Sequence, residues 1–213
     1  MDCERYESVD AAADHVLMQQ VREGDVGQLG VLFERYSGTL FNFFLRLTGN
    51  AHVSEDLVQD VFFRILKYRH TYREQSRFTT WMYQIARNVC MDDRRKKRGE
   101  VELNEDEVRN PSSDPLPGQE LAQEQEFRLL RSALAQLAPE KREALVLSRY
   151  HNLKYEQIAE VVGCDVGAVK VRIYRAIRDL RDSYLRLKRE KASCGAKKQQ
   201  NTLPITWRAK PDR

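Results

Sequence analysis

The sequence predicts an all-α protein, two small helical domains joined by a flexible acidic linker. Three observations carry that expectation. Apolar residues recur at helical spacing through most of the chain, and no stretch alternates apolar and polar residues as a strand does. From residue 99 to residue 118 the period vanishes, and Pro111, Pro115 and Pro117 oppose helix formation. Residues 153–180, LKYEQIAEVVGCDVGAVKVRIYRAIRDL, read as a short helix, a tight turn and a longer basic helix.

Taken in order, residues 10–22 predict a short amphipathic helix ended near Gly24. Residues 28–47 predict a second, rich in Leu and Phe, stopped by Gly49-Asn50. Ser54 is the expected cap of a third helix running to residue 69. Residues 71–77 are polar and read as a loop, and residues 78–98 as a fourth helix. After the linker, helical spacing resumes over residues 121–137, and Pro139 suits the first turn of the helix that ends near Tyr150. In the next pair of helices Gly163 supplies a left-handed turn and Asp165 a cap. The expected organisation is an N-terminal domain over 8–98, the linker, a C-terminal domain over 119–188, and a disordered basic tail over 189–213.

At 213 residues and 41% hydrophobic content the chain can bury real cores. Its net charge of +4 hides strong segregation. Asp92-Asp93 leads into the basic block Arg94-Arg95-Lys96-Lys97-Arg98, whereas residues 100–126 contain Arg109 as their only basic residue. Basic residues dominate again from Arg186. Such segregation suits basic surfaces for an acidic partner and a tether that is kept off them. Cys3, Cys90, Cys164 and Cys194 form no CxxC pair and have no His at zinc-finger spacing, so no metal or redox site is expected. His15, His52, His70 and His151 are scattered, and no nucleophile elbow, phosphate loop or HExxH motif occurs. An enzyme is therefore not expected, nor a cofactor. No apolar run approaches the ~20 residues of a membrane span, and the acidic start reads as no targeting peptide, so a cytoplasmic location with reduced thiols is expected.

The helix-turn-helix has a buried stripe of Val166, Val169, Ile173, Ala176, Ile177 and Leu180. Its opposite face carries Val171, Tyr174, Arg175 and Arg178, with Lys170 at the edge, a basic and partly apolar surface of the kind that enters a DNA major groove. In the N-terminal domain, the third helix turns Leu57, Val58, Val61, Phe62 and Ile65 inward. Its far side holds Asp56, Gln59, Asp60 and Lys67 with Phe63 among them, an aromatic on a charged face that resembles an interface anchor. The fourth helix points Phe78, Met82, Ile85 and Val89 inward and Tyr83, Arg87, Met91, Arg94 and Arg98 outward. Trp81 and Asn88, seven apart, lie in line at the border of the buried stripe. Basic residues interleaved with aromatics suit single-stranded nucleic acid, and the Tyr72 to Arg77 loop can form one wall of a base pocket.

The runs AHVSEDLVQDVFFRILKYR, RFTTWMYQIARNVCMDDRRKKR and LAPEKREALVLSRYHNLKYEQIAEVVGCDVGAVKVRIYRAIRDLR occur in the order seen in extracytoplasmic-function (ECF) sigma factors of bacterial RNA polymerase, which the chain resembles from about Val21 to Arg181. The resemblance implies that the N-terminal domain binds the clamp helices of the largest catalytic subunit of core polymerase through the DLVQDVF run, with Asp56, Gln59, Asp60 and Phe63 exposed. It implies capture of the melted −10 element by Tyr72, Arg77, Trp81, Arg87 and Asn88. It assigns −35 reading to Lys170, Val171, Tyr174 and Arg175, with Tyr155 and Arg172 near phosphates and Arg178 as an added charge, and docking of this domain on the β-subunit flap. An anti-sigma factor is a further expected partner. Val171 stands where the family commonly has a small polar residue, and Ala168 replaces a frequent Ser or Thr. The alternative is a stand-alone helix-turn-helix regulator, which does not explain the N-terminal motifs.

Overall fold

The computed structural model describes residues 3–73, 77–103 and 122–200. Among these the chain is all-α: α1 (Cys3–Glu23), α2 (Gln28–Thr48), α3 (Ala51–Lys67), a 3-10 turn (Arg69–Thr71), α4 (Phe78–Leu103), α5 (Ala122–Ala135), α6 (Pro139–Tyr150), α7 (Tyr155–Val162) and α8 (Val166–Gln200).

The α2–α3 corner follows from residue chemistry. Gly49 closes α2 in the left-handed conformation at φ 73°, and its N–H donates to the Leu45 carbonyl. Asn50, not Ser54, caps α3: its side chain accepts from the Val53 N–H, so the cap lies four residues earlier than expected. Ser54 is buried in the first turn, where its hydroxyl donates to the Asn50 carbonyl at 2.6 Å and lies 3.1 Å from the Thr48 hydroxyl.

α1 to α4 pack as an N-terminal bundle around Leu40, Phe44, Val61, Ile65 and Met82. α1 is tied across it by Asp14, which is buried and bonded to the Arg35 guanidinium and the Tyr36 hydroxyl. In the C-terminal half, α5, α6 and α7 pack on α8. Pro139 sits in the first turn of α6, and Asn152 turns the chain toward α7 with a left-handed φ of 51°.

Two helices run past their expected ends. α4 continues through Gly99 to Leu103, five residues into the expected linker. The pairs Arg95–Asp92 and Lys97–Asp93 support its last described turns, and one glycine costs a helix only about 1 kcal/mol. α8 continues to Gln200, so the first part of the expected disordered tail is helical. The rest of the linker and of the tail lies outside the described residues.

The two halves touch. α4 packs on α7 and α2 on α6, and one buried cluster runs through both. Sequence reading expected separate modules on a tether, since a helical period shows which face is covered and not what covers it.

Candidate nucleic-acid interface

Three surfaces carry the residues singled out from the sequence. On α3, Leu57, Val58, Val61, Phe62 and Ile65 are buried. Phe62 is held edge-on against Phe33 at 4.9 Å between ring centroids. That register leaves Asp56, Gln59 and Asp60 exposed and puts Phe63 on the same face at 65% exposure.

The second surface is the helix-turn-helix. Gly163 adopts φ 73° and donates to the Ala159 carbonyl, and the Asp165 carboxylate accepts the Ala168 N–H at 2.8 Å to start α8. Val169, Ile173 and Ala176 are buried, and Val166 and Leu180 partly so. Ile177 departs from the expected stripe: it is 40% exposed and lines an apolar groove of about 610 Å³ with Phe127, Leu130, Leu180 and Tyr184. The register of the stripe turns Lys170, Val171, Tyr174, Arg175 and Arg178 to solvent, with Tyr174 the most exposed of the large hydrophobic side chains among the described residues. Tyr155 and Arg172 are half-buried, and the Arg172 guanidinium lies 3.9 Å from Glu140.

The third surface, at the start of α4, departs most from expectation. Tyr72 is buried, not part of an open loop wall: its hydroxyl lies 3.1 Å from His15 Nδ1 and its ring 5.2 Å from that of Trp81. Burial, and next the charge of Asp14, pushes its phenol up to about 12. Tyr72 therefore buttresses Trp81, which is half-buried, and offers no open face to a base. Arg77 and Asn88 are exposed. Glu74, Gln75 and Ser76 of the expected loop lie outside the described residues.

Tyr83 was expected to face outward and is buried, because the C-terminal half covers that side of α4. Its hydroxyl is 2.8 Å from His151 Nδ1, and Phe43 stacks edge-on against both rings. One turn on, Arg87 pairs with Glu143 at 3.4 Å, and both are largely covered. Burial pushes the Glu143 carboxyl up, and Arg87 opposes that shift. Gln84 donates to the Glu160 carbonyl of α7.

Arg142 and His151 were missed as structural residues by sequence reading. Arg142 donates to the Ala135 and Leu137 carbonyls at the end of α5 and, across the halves, to the Leu47 carbonyl of α2 at 2.8 Å. A cation against helix C-termini is favoured by their partial negative charge. No local pattern marks such a role. Among the described residues no His, Cys, Asp and Glu cluster suits a metal ion, and no helix is long and apolar enough to cross a membrane.

His151 gives a pH dependence. Burial, then the charge of Arg46, lowers its pKa from 6.5 to about 4, so it is neutral in the closed fold. The unfolded chain binds a proton below its ordinary value and the folded chain does not. Stability is therefore full above pH 6.5 and falls as the pH drops toward 4. Urea melts at about pH 7.5 and about pH 5 should show that loss, and His151→Gln should shrink it. An unchanged pH slope in the variant would remove His151 as its source.

The faces can be set beside known proteins. Residues 32–100 match the Sigma-70 region 2 family and residues 127–180 match Sigma-70, region 4. The chain is 37% identical over 134 residues to the ECF RNA polymerase sigma factor EcfG of Rhodopseudomonas palustris, covering 63% of this chain and 72% of that protein. The protein belongs to the ECF sigma factors. It is also 35% identical over 153 residues to the ECF sigma factor SigE of Mycolicibacterium smegmatis, covering 71% of this sigma factor and 59% of the relative's length. Among solved structures it resembles the sigma factor RpoE in complex with the anti-sigma factor NepR from Bartonella quintana. That likeness has a TM-score of 0.62 at 24% identity and covers 72% of this chain and 94% of that one. At that identity it speaks for the fold.

In this sigma factor, region 2 spans α2 to α4 and includes the Phe63 face, while region 4 spans α5 to the first half of α8. The match ends at residue 180, so the remainder of α8 extends beyond it.

Proposed function

We propose that this sigma factor binds core RNA polymerase through the α3 face of Asp56, Gln59, Asp60 and Phe63, and directs initiation at promoters read by its two halves. The observation that carries the reading is the pairing of an aromatic anchor on a charged α3 face with a basic, partly apolar face on α8, within regions 2 and 4 in family order. The protein has no catalytic part in this scheme. It acts in the cytoplasm with the polymerase, and its C-terminal half docks on the β-subunit flap. An anti-sigma factor is the expected inhibitor, in keeping with the partner bound to the structurally similar RpoE. In vitro transcription with core polymerase and a promoter library tests the whole reading. Factor-dependent transcripts sharing −35 and −10 motifs are expected. A stable duplex footprint by the free protein, with no transcripts, would favour a stand-alone regulator.

The −35 element is read by Lys170, Val171, Tyr174 and Arg175, with Tyr155 and Arg172 near phosphates. If Arg175 grips a guanine edge, Arg175→Ala costs about 1–3 kcal/mol and relaxes preference at one −35 position. Arg178 lies a turn further along. Arg178→Ala weakens binding across sequences and lowers the salt slope by about one. Selection over randomised −35 elements checks both. An unchanged motif for Arg175→Ala would demote Arg175 to a backbone contact.

The melted −10 strand is captured by Arg77, Trp81, Arg87 and Asn88, with Tyr72 holding Trp81 from behind. Asn88→Ala should impair open-complex formation more than closed-complex binding, by about 1–3 kcal/mol, and a pre-melted template should partly rescue it. Permanganate footprinting separates the steps, and equal losses in both would count against strand capture.

A further inference from the structure

α1 lies ahead of the region 2 match, which starts at residue 32, yet it packs on α4 and on the 3-10 turn before Tyr72. Its placement is fixed by Asp14, which is buried and bonded to Arg35 and Tyr36 of α2. His15 and Arg22, seven residues apart, lie two turns along one face of α1, and both are half-buried. Both reach Tyr72. His15 Nδ1 is 3.1 Å from the phenol oxygen, and the Arg22 guanidinium donates to the Tyr72 carbonyl at 3.4 Å. The phenol keeps its proton up to about 12 and can donate it to His15 Nδ1.

The Tyr72 ring passes this placement on. It is tilted 56° against the Trp81 ring, and Phe78 lies 6.4 Å from both. Phe78 in turn lies 5.4 Å from Tyr36, the residue that Asp14 holds. Both of these neighbours of Trp81 therefore lead back to α1, one through His15 and Arg22 and the other through Tyr36 and Asp14. Trp81 itself is half-buried, one turn from Arg77 and two from Asn88, both exposed. An aromatic at such an edge turns between rotamers unless its back is held. Ordering it at the moment of binding weakens binding, so a ring fixed beforehand meets a base more tightly.

We infer that α1 is the support of the −10 site: His15 and Arg22 are positioning residues, which hold Tyr72 and through its ring set Trp81 in the pose that stacks on an unpaired base. The inference rests on the proposed assignment of −10 capture to Trp81. Neither α1 residue touches DNA in this arrangement. Their contribution is confined to the step in which the strand is captured, and duplex binding through α8 is independent of it.

The test uses the full chain with core polymerase, a promoter from the library, and the variants His15→Ala, Tyr72→Phe and their double. Permanganate footprinting reads the open complex, a −35 duplex shift reads the closed one, and thermal melting reports folding. Trp207→Phe leaves Trp81 as the one tryptophan, so time-resolved anisotropy follows its ring alone. Each single variant should lower open-complex formation roughly two- to tenfold, the worth of one hydrogen bond. Closed-complex binding should stay at the wild-type level, and the Trp81 anisotropy should decay faster. The double variant should be no worse than either single one, because both remove the same bond. His15→Gln, which offers an acceptor in its place, should recover part of the loss. Equal losses in both complexes, an unchanged Trp81 decay, or additive effects in the double variant overturn the inference. Should His15→Ala unfold, Tyr72→Phe and Arg22→Met decide by the same readouts. Trp81→Ala separates the two levels. If it blocks opening while His15→Ala and Tyr72→Phe open normally, the support role of α1 fails and −10 capture stands. If Trp81→Ala opens normally, the assignment of capture to Trp81 falls and the inference with it.

Discussion

Phe43→Ala is expected to be among the most damaging single substitutions in this chain, at about 3–5 kcal/mol. The Phe43 ring is fully buried, with neighbouring ring centres at 5.3 Å for Phe44, 5.3 Å for Tyr83 and 5.6 Å for His151. One of those partners lies across the boundary between the halves: Tyr83 is on α4 of the same bundle, but His151 follows α6 in the C-terminal half. The cavity would form where the bundle meets the second half, so both the core of α2 and the seat of His151 lose contact. Urea unfolding by circular dichroism gives the loss directly. A loss below about 1 kcal/mol would mean that the site collapses around the deletion, and that Phe43 does not hold the two halves together.

Phe63→Ala should behave in the opposite way. With Phe63 at 65% exposure on the far side of α3 from the core, its removal should change stability by no more than about 0.5 kcal/mol. Core polymerase binding should weaken by about 2 kcal/mol or more, roughly thirtyfold, because a buried interface aromatic typically costs that much to truncate. Asp60→Lys, one turn away on the same face, should weaken docking through charge reversal with the fold intact. Wild-type affinity in a core-binding titration for both variants would remove this face from the polymerase contact.

Much of this was legible in the sequence because helical periodicity is a local signal. The stripes of α3 and α8, the turn at Gly163 and the cap at Asp165 each depend on residues within a few positions of one another. The exposed positions of Phe63, Tyr174 and Arg175 follow from those stripes. Tyr72 and Tyr83 were misread for a shared reason. Both lie off the apolar stripe of the N-terminal bundle, but α1 covers one through His15 and the C-terminal half covers the other through His151. A wheel projection of one helix contains neither neighbour. Ser54 looked like a cap because it is a serine ahead of an apolar run. Asn50 took the role because Gly49 had already turned the chain there. Arg142 left no trace, since its partners are backbone carbonyls, which every sequence has.

α8 has a mechanical consequence. It runs from Val166 to Gln200 as one uninterrupted helix. At 1.5 Å per residue it forms a rod roughly 50 Å long. Its first turns carry Lys170 to Arg178, and beyond the family match Arg186 and Lys188 pin it to Gln136 and Glu126. The part proposed to read bases and the part that extends past the family match therefore tilt together. A tilt of ten degrees about those pins would sweep each end of the rod through several ångströms. A protein or surface gripping the distal end would then steer the reading end as a lever does, without touching DNA.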